Sequence, residues 1–126
     1  MNNLLQNIKL FLVQYNIIDA DNIFFNFDET YNDLNINKLI LLSKGGESSD
    51  IAYKSVVSVI AKNSAMSQAE TLISNAFQVL CSNNGFKPFF FNGHLMMIKS
   101  LHPPVYKEKE KNGRHVFTFD ILITHN

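Results

Sequence analysis

Apolar and polar residues alternate most cleanly near the C-terminal end of the chain. From His115 to His125, Phe117, Phe119, Ile121 and Ile123 fall on one face and Thr118, Asp120 and Thr124 on the other. A period of two, rich in aromatic and β-branched residues, predicts a strand with one buried face. A second apolar run, His94 to Leu101, precedes it. Between them lie a double proline and a run of alternating charges. The pattern predicts one long antiparallel pair, central to a sheet, with a protruding polar arm between its strands.

Upstream, Leu4, Leu5, Ile8, Phe11, Leu12 and Tyr15 recur at helical spacing and predict a helix from about Asn3 to Tyr15, with an Asn as N-cap. Ile17 and Ile18 are expected to tuck under the sheet. Ile23 to Phe27 is a short strand candidate, and Asp28 to Asn37 reads as a loop. Lys38 to Ser43 is an apolar run of strand length, which Lys44, Gly45 and Gly46 break. The KGGESSD stretch then reads as a mobile loop before a Val-rich strand from Tyr53 to Lys62. Ser67 and Glu70 form a capping-box pattern ahead of Leu72, Ile73, Ala76, Phe77 and Leu80. That predicts a second helix from about Gln68 to Ser82, ended by a left-handed cap at Asn83-Asn84-Gly85. Phe86 to Phe91 contains Pro88, which favours an edge strand or packed loop. Helix, strands, helix, strands without a regular βαβ rhythm predicts an α+β fold. Its sheet is mainly antiparallel, with the two helices packed on one face.

A chain of 126 residues is one domain, spanning 1–126, and is long enough for a real core. The formal net charge is +0. This argues against nucleic-acid binding by bulk electrostatics and against an anionic membrane surface. Asn is abundant and Arg114 is the only arginine, which suggests an AT-rich genome, not a mechanism. Cys81 is the only cysteine, so no intrachain disulfide framework is expected, as suits a reducing cytosol. The N-terminal stretch is interrupted by Gln6, Asn7, Lys9 and Gln14 and does not read as a secretory signal. No apolar run is long enough to span a bilayer.

Candidate chemistry is sparse. His115 and His125 are separated by roughly 34 Å on an extended strand, too far to share a metal. Neither they nor His94 and His102 show ligand spacing. Cys81 falls at a helix C-terminus, where the dipole opposes a thiolate, so it reads as structural. Lys44-Gly45-Gly46 lacks the phosphate-loop pattern. Asp19, Asp21, Asp28 and Glu29 lack EF-hand spacing. Phe89, Phe90 and Phe91 lack the basic neighbours of a base-stacking platform. No cofactor is implied.

The arm, Tyr106 to Arg114, admits two readings. One is a solvated hairpin turning at Asn112-Gly113. The other is a strand extension that pairs with a neighbouring subunit, its alternating Lys and Glu blocking promiscuous pairing but admitting a matched partner. Pro103 and Pro104 are then expected to end pairing with the body and launch the segment outward.

The order of these parts resembles the phage minor capsid and tail terminator proteins. A helix opens the chain and a strand ends at Lys44-Gly45-Gly46. A Val-rich strand runs from Ser55 to Ala61, and a long helix begins with Ala69 to Leu72. A strand then leads into Pro103-Pro104-x-Tyr106, a charged turn, and Asn112-Gly113-Arg114 before Phe117, Phe119 and Ile121. The chain departs from that family's pattern in lacking an aromatic and a proline just before Gly45, and in its Phe86 to Phe91 segment. The resemblance implies a structural virion protein, assembled in the cytoplasm of a bacterial host. It implies a homohexameric ring that caps the head-proximal end of the tail tube, stops polymerisation and joins the tail to the head connector. Its implied partners are copies of itself, the tail tube protein and the connector or stopper protein, with no nucleic-acid sequence recognition and no membrane. A closed ring needs two different complementary surfaces on each subunit. The candidates for them are Lys44, Gly45 and Gly46, and the arm residues Pro103, Pro104, Tyr106, Lys107, Glu108, Lys109, Glu110, Lys111 and Arg114. A head-completion or connector-adaptor protein is the related alternative. A small cytosolic enzyme pairing His94 or His102 with a loop carboxylate is the alternative of another class.

Overall fold

The alternating run is the middle of the molecule. In the computed structural model, which describes residues 2–27, 36–48, 53–81, 88–91 and 93–125, strand β7 (His115–His125) is paired along both edges. On one edge it meets β3 (Tyr53–Asn63) antiparallel over its full length, from Tyr53↔His125 to Asn63↔His115. The other edge is shared by two strands in succession. β5 (His94–Ser100) covers the C-terminal half, and β6 (Val105–Lys109) covers the N-terminal part. The expected long pair therefore exists as two short strands joined by residues 101–104. Beyond β3 lie β2 (Lys38–Ser48) and then β1 (Ile23–Phe25), and beyond β5 lies β4 (Pro88–Phe91). Among the described residues, only the β1–β2 pair is parallel. The fold is α+β with a mainly antiparallel sheet.

Period-two alternation decides which side holds the core. Phe117, Phe119, Ile121 and Ile123 are buried, together with Val57, Val59 and Ala61 of β3 and Leu39 and Leu41 of β2. Helices α1 (Asn2–Gln14) and α2 (Met66–Leu80) close this side. They contribute Leu5, Ile8 and Leu12, and Ala69, Leu72, Ile73, Ala76 and Leu80. Ile17 and Ile18 pack half-buried against the same cluster. Phe77 meets Phe119 edge to face, with centroids 5.1 Å apart, the geometry the ring quadrupoles favour.

Three expectations change. First, Lys44-Gly45-Gly46 does not end β2. The strand continues to Ser48, and the register shift between Ser43 and Gly46 is a β-bulge. Gly45 takes up the extra length at φ +95°, where a side chain is disfavoured. A Cβ on Gly46 would lie 2.1 Å from the Lys54 carbonyl oxygen. The glycines that suggest a loop are thus what lets the ladder pass through an irregularity. Second, α2 begins before the capping box. Met66 is its first residue and Ala65 the N-cap, without a side-chain cap. The Ala65 N–H instead donates to the Asn63 side chain at 2.8 Å, so the preceding strand supplies the turn into the helix. The helix ends at Leu80 with Cys81 as C-cap, and the cap expected at residues 83–85 lies outside the described residues. Third, β1 stops at Phe25 because Asn26 turns at φ +68°, its N–H donating to Leu41 O at 2.9 Å. The loop expected over residues 28–37 lies outside the described residues except for Ile36 and Asn37. Pro88–Phe91 is an edge strand, as a proline-bearing run should be.

Candidate functional site

The side of the sheet opposite the helices carries two polar centres. One is built around Asp120 in the middle of β7. Directly across on β3, Ser58 donates its hydroxyl to Asp120 Oδ1. Lys44, presented by the β2 bulge, places Nζ 3.3 Å from Oδ2. His102, in the segment between β5 and β6, places Nε2 3.4 Å from the same oxygen. Leu101 N–H donates to the Asp120 carbonyl at 2.9 Å, and the Ser100 hydroxyl to His102 O at 3.0 Å. The Pro103 carbonyl accepts from His102 Nδ1 at 2.9 Å. One carboxylate therefore gathers β2, β3 and the Pro-Pro segment. Burial raises its pKa, but the hydrogen bonds from Ser58 and Lys44, the Lys44 charge and the His102 contact outweigh this and hold it below the usual range.

The second centre is the tip of the β6–β7 hairpin. Glu110 N–H donates to Arg114 O at 2.8 Å, and Gly113, at φ +95°, donates to Glu110 O at 2.9 Å. The Glu110 carboxylate then receives Lys62 Nζ from β3 at 2.7 Å and Arg114 Nε at 2.9 Å. Burial raises the Glu110 pKa, and the Lys62 and Arg114 contacts more than reverse it. Arg114 is only 5% exposed, so the guanidinium belongs to the interior of the hairpin.

These contacts place the sequence candidates. Lys44 is half-exposed at the bulge, with Gly45 and Gly46 beside it. Pro103 and Pro104 do interrupt pairing, between Ser100↔Ile121 and Val105↔Thr118, but the chain then returns to the same edge of β7. Tyr106 packs on Phe117, with centroids 5.1 Å apart, and its hydroxyl lies 3.0 Å from His115 Nδ1. Lys107, Glu108 and Lys109 are exposed on β6, and Lys111 is exposed in the turn. The structure thus brings Lys44 and the Pro-Pro segment together through Asp120. It ties the arm down instead of projecting it. Sequence reasoning missed Asp120, Ser58 and Lys62; the available signal was an acid in the middle of a β-branched strand.

The chemistry open to these groups is limited. Ser58 donates to the carboxylate and not to an imidazole, so no nucleophile–base pair forms there. A carboxylate held below its usual range by three donors is a poor general base near neutrality. His102 sits on this face, while a cleft of about 440 Å³ lies elsewhere, lined by residues that include Val13, Ile17, Ile18, Asn22 and Ile36. His125 stacks on Tyr53 and lies 3.1 Å from the Ser55 hydroxyl. The side chain of His94 lies outside the described set, as do Asp28 and Glu29. Burial pushes the Cys81 thiol up to about 12, so it stays protonated and unreactive. Among the described residues, no group of three His, Cys, Asp or Glu is placed to hold a metal ion, and no helix is long and apolar enough to cross a membrane.

No protein-family model matches the chain, and no curated protein matches its sequence. Among solved structures, it superposes on a chain described as "Virion of native gene transfer agent (GTA) particle", with a TM-score of 0.63 and 8% identity. The superposition covers 97% of this chain and 93% of that one, so the likeness extends over nearly the whole of both folds.

Proposed function

We propose that this chain is a structural virion protein of the tail-terminator kind, forming one domain over residues 1–126. It assembles as a homohexameric ring on the head-proximal end of a phage tail tube, stops tube growth and contacts the head connector. The observation that carries this reading is the near-complete fold likeness to a chain of a gene transfer agent virion, at 97% and 93% coverage. The order of helix, bulged strand, Val-rich strand, helix and charged hairpin supports the finer family reading. The two ring surfaces are the β2 bulge at Lys44, Gly45 and Gly46, and the hairpin from Pro103 to Arg114. They stand on different strands, β2 and β6, and meet at Asp120 through Lys44 and His102; a closed ring needs two complementary surfaces on each subunit. Solution mass and electron microscopy test the ring, alone and with the tail tube protein. Rings that cap tubes and fix their length support the reading. A chain that stays monomeric, neither binds tube ends nor alters their growth, overturns it.

A further inference from the structure

β6 is an edge strand with a particular arrangement of charge. Among the described residues it pairs with β7 alone, and all five of its residues are exposed. An open strand edge is a template for another strand, most readily the same strand of a second copy. Glu108 lies opposite Val116 and Lys109 opposite His115. Directly paired residues share a face, so Lys109 lies on the face of Phe117 and the helices, and Glu108 on the face of Asp120. Glu110, which reaches Lys62 on that second face, follows the same alternation. Beyond the bulge, from Glu108 to Glu110, a charge alternation of period two on a strand of period two sorts the signs to opposite faces.

We propose that the β6 edge is built to refuse a second copy of itself, so that any partner at this edge is a different surface. Two β6 strands that extend one sheet must place residues of the same face opposite one another. Centred on Glu108, an antiparallel match sets Glu108 against Glu108. Centred on Lys109, it sets Lys109 against Lys109 and Glu108 against Glu110. A parallel, in-register match sets each residue against itself. Like charges directly opposite on adjacent strands destabilise the pair. The bulge between Tyr106 and Glu108 further bends the edge away from a flat partner. A contact between unlike surfaces remains open, which is the kind a head-to-tail assembly uses. The inference concerns this edge only and does not require the ring.

Charge reversal at three positions tests it. The variant Lys107→Glu/Glu108→Lys/Lys109→Glu leaves Glu110, Lys62 and Arg114 in place. Wild type and variant, each alone, are expected to keep their own solution mass. An equimolar mixture is expected to associate at a concentration about tenfold lower than either alone, because Glu108 and Lys109 then face residues of opposite sign. A neutral edge, Lys107→Thr/Glu108→Thr/Lys109→Thr, is expected to self-associate. Unmodified protein in about 1 M NaCl is expected to do so too, because the repulsion is screened. The screening arm can be read even if a variant folds poorly. A mixture, a neutral edge and a high-salt sample that all keep the wild-type mass overturn the proposal, whatever is found for ring formation.

Discussion

Gly46 shows how a single residue can mislead as a sequence signal and yet matter to the sheet. A Cβ there meets backbone, the Lys54 carbonyl oxygen at 2.1 Å, and no flexible side-chain end can move aside. Gly46→Ala is therefore expected to cost about 1–3 kcal/mol, the range of overpacked sites, and Gly45→Ala about 1 kcal/mol for its left-handed φ. Urea unfolding measures both; equal stability for Gly46→Ala and wild type counts against the bulge. Asp120 was legible only as a polar residue on the exposed face of a strand. Its partners Ser58 and Lys44 are 62 and 76 residues away, and no local pattern joins them to it. The carboxyl is held below its unfolded value, so it contributes stability above that value and loses it as pH falls through the lower, folded one. Stability is then expected to fall below about pH 4, and Asp120→Asn to flatten that part of the profile. Denaturant melts of both proteins between neutral and acid pH read this out, and parallel profiles would count against it.

At the scale of elements, legibility followed periodicity. The bounds of β7 were readable because Phe117, Phe119, Ile121 and Ile123 alternate with Thr118, Asp120 and Thr124, with Val116 and Leu122 as the apolar exceptions. Both helices were readable from their apolar stripes, α1 to within a residue at each end, whereas α2 begins and ends two residues earlier than its pattern suggests. The α2 N-terminus is set by Asn63 of the preceding strand, and no spacing within the helix carries that information. The hairpin was the hardest element. Prolines, dense charge and Asn112-Gly113 suit both a free arm and a pinned turn, and the choice rests on Glu110. That side chain could have faced solvent, but Lys62 and buried Arg114 draw it onto the sheet. The hairpin is thus expected to be ordered in the isolated subunit. Glu110→Ala should cost about 1–3 kcal/mol, because it strips hydrogen bonds from a charged group and leaves the buried Arg114 guanidinium less compensated. Loss of amide-exchange protection at Glu110 and Gly113, together with a lower denaturation midpoint, is the expected signature. An unchanged midpoint would mean that the pinning contributes nothing.

For the molecule as a whole, the decisive feature is that the last described strand is the central one. Removing residues 115–126 leaves β1, β2 and β3 on one side and β4 with β5 on the other, and β6 loses its only described partner. It also removes Phe117, Phe119, Ile121 and Ile123 from the core, Phe119 alone being a fully buried ring against Phe77. A single Phe119→Ala change is expected to cost about 3–5 kcal/mol. That is a large share of the 5–15 kcal/mol typical of a folded domain. Losing the whole strand exceeds that margin, because it removes four core side chains at once and leaves β3, β5 and β6 without their pairing along β7. The truncated chain is therefore expected to lack cooperative unfolding and near-UV signal, while Phe119→Ala folds with a lowered midpoint. Such a topology also sets the rate. β3 pairs with β7 across 52 to 72 residues of chain, from Asn63↔His115 to Tyr53↔His125. Closing so long a loop before its contacts form slows folding. Stopped-flow refolding should then place Phe119→Ala mainly on the folding limb if β7 docks in the transition state, and on the unfolding limb if it docks late. Central pairing on both edges favours the first outcome, since no other described strand can join the two halves of the sheet.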